Sequence, residues 1–290
     1  MIEVDAKKCT GCGFCSDECP AGIFMLSPAT HGSRTARVRY LNHCQGCGHC
    51  VAICPEGAIV HGELPADKFE DRPDVVIAPE AMRAFLLSRR STKAFREKPV
   101  PGELIEQLIE VGTHAGTASN AQTENFIVIR DRGLLSELEG MVIGILWNKM
   151  KPLGSGIGRR LAAIRYGAET VKRSIQYYER FKDRRDSGDF DGLILHNAPA
   201  VIAVHGLKAN FNARENCAIA VRNMEILAQS LGLGTCWAGF LLVAAGLTGK
   251  VARRLGIPHD RALYSAIMLG YTKHDYGKTI PRRPREVRWL

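Results

Sequence analysis

After residue 79, hydrophobic residues recur every three or four positions over long stretches of the chain. This spacing gathers them on one side of an α-helix. Following Pro101, for example, Leu104, Leu108 and Val111 share a face. The pattern predicts helices over 80–90, from Pro101 onward, and over 133–150, 159–185 and 214–231.

Two of these predicted helices have unusual faces. The helix over 159–185 has a strongly basic face, with nine Lys and Arg residues against three acidic residues. Its opposite face is an apolar stripe that consists of Leu161, Ile164, Ala168, Val171, Ile175 and Tyr178. The helix over 214–231 is apolar nearly all round, which predicts burial on most sides. The basic face is typical of a solvated surface, and a docking surface for an acidic protein or for NADPH is the alternative.

Short apolar runs rich in Val and Ile predict strands over 125–130, 199–204 and 262–271, and the first two of these strands are expected to be buried. Near the start of the chain, Ile2–Val4 and the pair Ile59–Val60 are expected to form a further pair of strands. Between these regions, residues 63–79 are polar and contain three prolines, which exclude a helix interior. We therefore expect a domain over 1–62, a linker over 63–79 and a second domain over 80–290.

Composition narrows the class of protein. The chain has 290 residues, 46% of them apolar and 24% charged, which suits a globular protein of about two domains. No signal peptide and no membrane-spanning run is recognised, which predicts a cytoplasmic protein without a membrane partner. The net charge of +9 lies entirely beyond residue 62. A charge of this size is weak evidence for nucleic-acid binding, and none is predicted.

The cysteines form an internal repeat that carries the clearest chemistry of the chain. Each copy has the spacing C-x2-C-x2-C-x3-C-P, and the second copy begins 35 residues after the first. The first copy contains Cys9, Cys12, Cys15 and Cys19, and the second contains Cys44, Cys47, Cys50 and Cys54. In bacterial two-cluster runs of this spacing, the fourth cysteine ligates the other cluster.

This spacing therefore predicts two [4Fe–4S] clusters. One is expected on Cys9, Cys12, Cys15 and Cys54, and the other on Cys44, Cys47, Cys50 and Cys19. Structural zinc usually takes paired C-x2-4-C knuckles, and disulfides suit secreted chains, so both alternatives fit less well. Residues 1–62 resemble the bacterial two-cluster ferredoxins.

Four separate segments of the second region carry further candidate chemistry. They are Ser88–Phe95 with two arginines, Gly116–Gln122 with amide side chains, the small-residue run Leu231–Phe240, and the basic C-terminal stretch from Gly270 onward. Arginine and serine suit a phosphate, and amide groups suit the edge of a heterocycle. Taken singly, each segment also fits an idle surface patch or an ordinary loop.

In this order and at these spacings, the four segments resemble the nitroreductase family of FMN flavoproteins over roughly residues 80–290. The resemblance implies roles at matching positions. Arg89, Arg90 and Ser91 would hold the phosphate and ribityl end of FMN, and Lys93 would lie beside the N1–C2=O edge of the flavin. The remaining implied contacts are Thr117, Asn120 and Gln122 at the pyrimidine edge, the backbone of Ala238 and Gly239 near N5, and Lys278, Arg282 and Arg283 as a C-terminal phosphate clamp.

The resemblance also implies an α+β fold with a mostly antiparallel sheet wrapped by helices, and a homodimer with FMN at the subunit interface. The chain departs from the family pattern in the second segment, where Gly116 and Thr123 replace prolines, Thr117 replaces serine and Glu124 replaces tryptophan. These departures concern the shape of the loop and the choice of substrate. No residue is predicted as a catalytic acid or base, because the flavin carries the chemistry.

The combination predicts an oxidoreductase in which two clusters exchange electrons with FMN, and FMN reduces a nitroaromatic, a quinone or a similar small molecule. Two alternatives stay open. NAD(P)H would reduce FMN, and the clusters would pass electrons to an acidic partner protein, or the chain would be a redox sensor without turnover. Cys217 and Cys236 are interpreted as small buried apolar residues, and His114, His196 and His205 as structural.

Overall fold

A computed structural model describes residues 1–28, 34–187, 190 and 192–290, with the backbone alone for residue 185. Its contacts divide the chain into two compact units. Unit 1 comprises residues 1–77 together with 117–122, and unit 2 comprises residues 78–116 and 123–290. The short loop 117–122 therefore groups with unit 1, although the chain on both sides of it belongs to unit 2.

Unit 1 consists of short elements around the two cysteine runs. In chain order they are β1 (Ile2–Val4), α1 (Phe14–Glu18), β2 (Phe24–Leu26), β3 (Ala36–Val38), α2 (His49–Ala52) and β4 (Ile59–His61). β1 pairs antiparallel with β4, with Ile2 opposite His61, and β2 pairs antiparallel with β3. The predicted pairing of the two ends of this region is confirmed.

Unit 2 contains seven further helices of at least nine residues, one shorter helix and four strands within its described residues. In chain order they are α3 (Pro79–Ser88), α4 (Gly102–Thr113), β5 (Asn125–Ile129), α5 (Arg132–Met150), α6 (Gly156–Tyr166), α7 (Ala168–Asp186), β6 (Ala200–Leu207), α8 (Ala213–Ser230), β7 (Leu233–Trp237), α9 (Gly239–Leu247), α10 (Lys250–Arg254) and β8 (Arg261–Tyr271). The strands form one antiparallel sheet in the order β5-β6-β8-β7. The predicted α+β fold with an antiparallel sheet is confirmed.

The sheet of unit 2 is buried on both faces. Along β6, Ala200, Ile202 and Val204 join one apolar cluster with residues of α4 and α8. Val201 and Ala203 join the opposite cluster with residues of α5 and α9. Successive side chains of a strand point to opposite faces, so the sheet is the middle of three layers.

Three predictions about the elements were wrong in part. The helix predicted over 159–185 is two helices, because Gly167 between α6 and α7 has a φ of 84°. The apolar stripe is divided with it: Leu161 and Ile164 are 63% and 78% exposed, whereas Val171 and Tyr178 are buried. β5, predicted as a buried strand, is an edge strand with a partly exposed face.

β7 was not predicted as a strand, because its sequence Leu-Gly-Thr-Cys-Trp lacks a run of β-branched residues. Its pairing with the long β8 supplies the hydrogen bonds that propensity alone does not predict. In the part of the chain that the structure describes, no helix combines the length and apolar composition needed to cross a membrane.

Candidate cofactor sites

The eight repeated cysteines lie around two separate cavities in unit 1. Cys9, Cys12, Cys15 and Cys54 line one cavity of about 340 Å³. Cys19, Cys44, Cys47 and Cys50 line the other, of about 360 Å³. We name these the first thiol set and the second thiol set. Each set combines three cysteines of one run with the fourth cysteine of the other run.

The turns between the cysteines depend on glycine. Gly11 and Gly13 in the first run, and Gly46 and Gly48 in the second, have φ values between 66° and 89°. Residues with a side chain rarely adopt this conformation. At Gly11 there is also no room, because a Cβ atom would lie 2.3 Å from the carbonyl oxygen of Arg34. The glycines therefore let three cysteines of each run face one cavity.

The electrostatics of each set show that its four thiols are close together. Burial raises the pKa of Cys15, and the nearby Cys12, Cys9 and Cys54 raise it further. Burial and the nearby Cys47, Cys44 and Cys19 raise the pKa of Cys50 to about 11. Four ionised thiols at such proximity repel one another unless a positively charged group lies between them.

The donor chemistry of both sets fits an iron–sulfur cubane. All ten cysteines of the chain are free thiols. In each set the four thiols surround a cavity, as the corners of a cage require. Within the described residues, no group of three or more His, Cys, Asp or Glu side chains converges on a single metal ion.

Sequence reasoning missed one residue that lies beside the second thiol set. His61, at the end of β4, is 5% exposed and lines the same cavity as Cys44. A single histidine after a strand gives no recognisable signal in the sequence. The repeat does not indicate it either, because the matching position of the first copy is Leu26.

In unit 2, the segment that follows α3 runs beside the sheet. Ser91 forms a parallel bridge with Thr235 of β7, and the N–H of Thr92 donates to the carbonyl of Thr235 over 2.9 Å. Ser91 and Lys93 are exposed, whereas Thr92 between them is buried. Alternation along an extended segment therefore presents Ser91 and Lys93 on one side.

Arg89 lies at the start of this segment but is already paired. Its Nη1 is 3.3 Å from Oε1 of Glu225, whose side chain is only 3% exposed. Arg222 and the hydroxyl of Thr235 also contact this carboxylate, at 3.4 Å each. Arg89 therefore neutralises a buried charge of its own chain, a role that sequence reasoning did not anticipate. Its contact with FMN phosphate stays a prediction.

Cys236 of β7 lies next to Ser91 and Lys93. Burial raises the pKa of its thiol, whereas the charge of Lys93 and a hydrogen bond with Ser91 lower it. The pKa of His196 is lowered, first by burial and then by the charge of Lys93. Lys93 therefore carries its positive charge into a region formed by the extended segment, β7 and the turn before β6.

A cavity of about 740 Å³ lies on the other side of the same segment and is lined by Arg89, Arg90 and Thr92. Two polar atoms of its lining residues, Nε of Arg90 and Oε1 of Gln229, are buried and have no hydrogen-bond partner. Buried polar atoms normally have partners. Both atoms are shielded from solvent, so a ligand would reach them only after these side chains move.

In the small-residue run Leu231–Phe240, the backbone N–H of Ala238 is already paired. The N–H of Ala238 donates to the carbonyl of Ala266 over 2.9 Å, because the strand pairing of β7 with β8 continues there. Gly239 is the first residue of α9. A contact of this backbone with a ligand would therefore involve the first turn of α9, and it stays a prediction.

Asn120 lies in unit 1. Its Nδ2 donates to the carbonyl of Cys47 over 3.2 Å, and the N–H of Gln122 donates to Oγ1 of Thr117. Ser119, Asn120 and Gln122 have φ values between 45° and 54°, in the left-handed region. Such strain persists where the surroundings impose it, and it is concentrated at functional sites. The side-chain amide of Asn120 is thus engaged by the second thiol set.

The predicted C-terminal clamp consists of exposed residues. Lys278, Arg282 and Arg283 lie in a stretch without helix or strand that follows β8. Their role toward a phosphate remains a prediction from the resemblance.

Comparisons with known proteins bear on both units. Residues 86–271 match the model of the Nitroreductase family, and residues 8–72 match that of the 4Fe-4S dicluster domain. The first match covers more than half of the chain, so the chain belongs to the Nitroreductase family. The resemblance found in the sequence is confirmed for both regions.

Similar proteins agree with this membership. A protein of Archaeoglobus fulgidus with the provisional name NADH dehydrogenase/NAD(P)H nitroreductase is 25% identical over 192 residues, which cover 66% of this chain and 84% of that protein. Two solved nitroreductases with bound FMN show the same fold with a TM-score of 0.52 each. The one from Bacteroides fragilis is 20% identical and covers 71% of this chain and 94% of that chain. The one from Desulfitobacterium hafniense is 19% identical, and the match covers 71% of this chain and 97% of that chain.

Proposed function

We propose that this member of the Nitroreductase family is an oxidoreductase that binds FMN in unit 2 and two [4Fe–4S] clusters in unit 1. Electrons pass between clusters and flavin, and the acceptor is a nitroaromatic, a quinone or a similar small molecule. One observation carries the proposal: the same chain holds two four-thiol sets and a segment that places Ser91 and Lys93 beside Cys236.

The residues of unit 2 fit an anionic heterocyclic cofactor. Lys93 supplies a positive charge and Ser91 a hydroxyl group on one side of the segment. When bound, FMN supplies a ring that takes electrons singly or in pairs. The named similar structures contain FMN, which supports the assignment.

The thiol sets fit the clusters for a separate reason. Each set gathers four thiols around one cavity, and because burial raises the pKa of Cys15 and Cys50, binding of a cluster would displace their protons. Iron–sulfur clusters carry single electrons, so FMN is the centre at which two of them combine for an organic acceptor. In this scheme the chain's own residues bind, orient and shield the cofactors.

An open cavity in unit 2 supports an aromatic acceptor. Trp237, which precedes Ala238 and Gly239, lines it together with Tyr264. Lys208, Arg214 and Arg261 line it as well. Aromatic side chains stack on an aromatic ring, and the three cations favour electron-rich groups such as nitro or carboxylate oxygens.

The first experiment measures cofactors and electron flow in the full chain, purified without oxygen. We expect FMN and iron for two clusters, and bleaching of the flavin absorbance when a donor is added. Titration with NADH and NADPH, followed by reduced ferredoxin, identifies the donor. A chain that binds neither FMN nor iron contradicts the proposal. A chain that binds both but reduces no acceptor is a redox sensor.

Lys93→Met tests the assignment of FMN to unit 2. Loss of a charged hydrogen-bond donor costs about 1.5–3 kcal/mol, so we expect the Kd for FMN to rise by about tenfold or more. Lys98→Met is the matched control, because the Nζ of Lys98 lies over the ring of Tyr271 at 4.3 Å. Equal affinities of the two variants for FMN would place the flavin elsewhere.

The reverse direction, with delivery of electrons to an acidic protein, rests on the cations of α6 and α7. The exposed ones are Arg160, Arg165, Lys172, Arg173, Arg180 and Lys182. Glu169, Asp183 and Asp186 are exposed on α7 as well, which weakens the field of this surface. If such a partner docks here, its association rate falls with ionic strength. A rate independent of salt excludes this surface.

A further inference from the structure

We infer that His61 tunes the second cluster: its Nε2–H donates to the sulfur of Cys44 and raises the reduction potential of the cluster that the second thiol set holds. The first thiol set has no equivalent side chain at the matching position of the repeat. His61 therefore makes two centres with similar ligands electronically different. This inference rests on the proposed function of unit 1.

The hydrogen bonds of the imidazole determine which nitrogen carries the proton. Nδ1 of His61 accepts the backbone N–H groups of Glu63 and Leu64, both over 3.2 Å. A ring nitrogen that accepts hydrogen bonds carries no proton itself. The single proton of the neutral imidazole is therefore on Nε2. Nε2 lies 3.9 Å from Sγ of Cys44, within reach of an N–H···S hydrogen bond.

The burial of His61 strengthens this contact. The side chain is 5% exposed, and strand pairing with Ile2 of β1 holds its backbone. A hydrogen bond in a region of low dielectric is electrostatically stronger than one in water. A donor at a ligand sulfur stabilises the more negative state of a cluster, and such donors help to set its potential.

The repeat supplies a natural comparison within the chain. His61 is the last residue of β4, and 35 positions earlier Leu26 is the last residue of β2. Leu26 lies beside the first run, because its Cδ1 would be 3.4 Å from a Cβ atom at Gly13. The side chain of leucine has no N–H group to donate. The two copies therefore differ, at one structural position, by a hydrogen-bond donor.

Backbone donors reach thiols of both sets, two in the first set and one in the second. The N–H of Ala36 donates to Cys9 over 3.3 Å and that of Ala58 to Cys54 over 3.2 Å. In the second set, the N–H of Gly46 donates to Cys44 over 3.4 Å. His61 adds a side-chain donor to that same sulfur, and a side chain can be exchanged without altering the turns.

The second thiol set is also the one that residues 117–122 contact, through Asn120 and the carbonyl of Cys47. This loop is flanked on both sides by the sequence of unit 2. By raising the potential of the second cluster, His61 stabilises an electron at the set that this loop contacts.

The test is an anaerobic redox titration of the full chain, followed by electron paramagnetic resonance. His61→Leu is expected to lower the midpoint potential of one cluster and leave the other unchanged. His61→Gln, which keeps a donor, is expected to lie between His61→Leu and the native chain. Leu26→His is expected to raise the potential of the other cluster. Unchanged potentials in His61→Leu, or equal shifts of both clusters, overturn the inference.

Iron analysis separates this inference from the proposed function. If the native chain binds no iron, the proposed function of unit 1 fails. If it binds two clusters whose potentials ignore His61, the inference alone fails. If His61→Leu loses the second cluster, Leu26→His decides: a raised potential of the first cluster supports the inference, and an unchanged one overturns it.

Discussion

The two units hold their candidate sites together in opposite ways. In unit 1 the candidate ligands come from two short runs, and among its described residues the buried apolar core contains seven, of which Cys15 and Cys50 are two. In unit 2 the site is assembled from segments far apart in the sequence, and packing on both faces of a four-stranded sheet holds them. A unit with so small a core usually needs metals or disulfides for stability.

The difference shows how closely site and fold depend on each other. In unit 1 the clusters would be the core, so loss of a ligand is loss of structure. In unit 2 the sheet and helices are complete without a ligand, and the site is a surface on a stable scaffold. Single substitutions should therefore remove metal and structure in unit 1, but affinity or stability alone in unit 2.

The largest expected effect is in unit 1. Cys54→Ser should remove about half of the bound iron and perturb the first run, because Cys54 lies with Cys9, Cys12 and Cys15. Cys19→Ser is the matched variant and should perturb the second run instead. Iron analysis with peptide-resolved hydrogen exchange measures both. Loss of the second cluster in Cys54→Ser would show that the fourth cysteines do not cross.

A smaller effect is expected in unit 2 from the ion pair of Arg89. Arg89→Ala leaves the carboxylate of Glu225, which is 3% exposed, without the more buried of its two arginine partners. Removing one partner of a buried pair costs about 3–5 kcal/mol of unfolding free energy. Arg222→Ala removes a more exposed partner, at 41%, and should cost about 1 kcal/mol or less.

These two variants are compared by denaturant unfolding of the FMN-free chain. All three tryptophans, Trp147, Trp237 and Trp289, lie in unit 2, so their fluorescence reports this unit alone. Equal costs for the two variants would mean that Glu225 is solvated and that Arg89 is free to bind a ligand.

The smallest effect is a pH dependence confined to unit 2. The pKa of His196 is lowered by burial, Lys93 and Arg180, so the unfolded chain binds a proton that the folded chain does not. Stability should therefore be full above the ordinary value of about 6.5 and fall as the pH drops below it, by at most about 1.4 kcal/mol per pH unit. His205, whose pKa is lowered by burial and Arg261, acts in the same direction.

His196→Asn should flatten this dependence, because asparagine does not titrate in this range. Asparagine also tolerates the left-handed backbone at this position, where φ is 53°. Denaturant unfolding, followed by tryptophan fluorescence between pH 5 and 8, measures this pH dependence of stability. An unchanged slope of unfolding free energy against pH would assign the pH dependence to His205 and would contradict the lowering of the pKa of His196 by Lys93.

Much of the fold could be predicted from local pattern. The strongly periodic or apolar segments, α4, α5, α8, β6 and β8, were all predicted within a few residues. The division of residues 159–185 was not, because Gly167 in a basic amphipathic stretch resembles a tolerated glycine. Beyond this glycine, Val171 and Tyr178 pack in one cluster with Trp147, whose ring stacks on that of Tyr178 at 5.5 Å.

The candidate sites show the same limit. Lys93, Ser91 and Arg89 are adjacent in the sequence and could be proposed from it. The ion pair of Arg89 with Glu225 joins residues 136 positions apart, and no local pattern indicates it. Asn120 was predicted to bind a flavin, yet its amide contacts the carbonyl of Cys47, 73 positions away.

The sequence by itself determined that the chain has a duplicated eight-cysteine region, and it identified the family of the remainder. Both follow from short-range order, in which the spacing of residues along the backbone dictates which side chains can share a turn or a helix face. Only the tertiary structure decided which cation neutralises Glu225, which carbonyl the amide of Asn120 contacts and which nitrogen of His61 faces sulfur. These depend on strand pairing and on the exclusion of water, which bring together groups that are distant in the sequence.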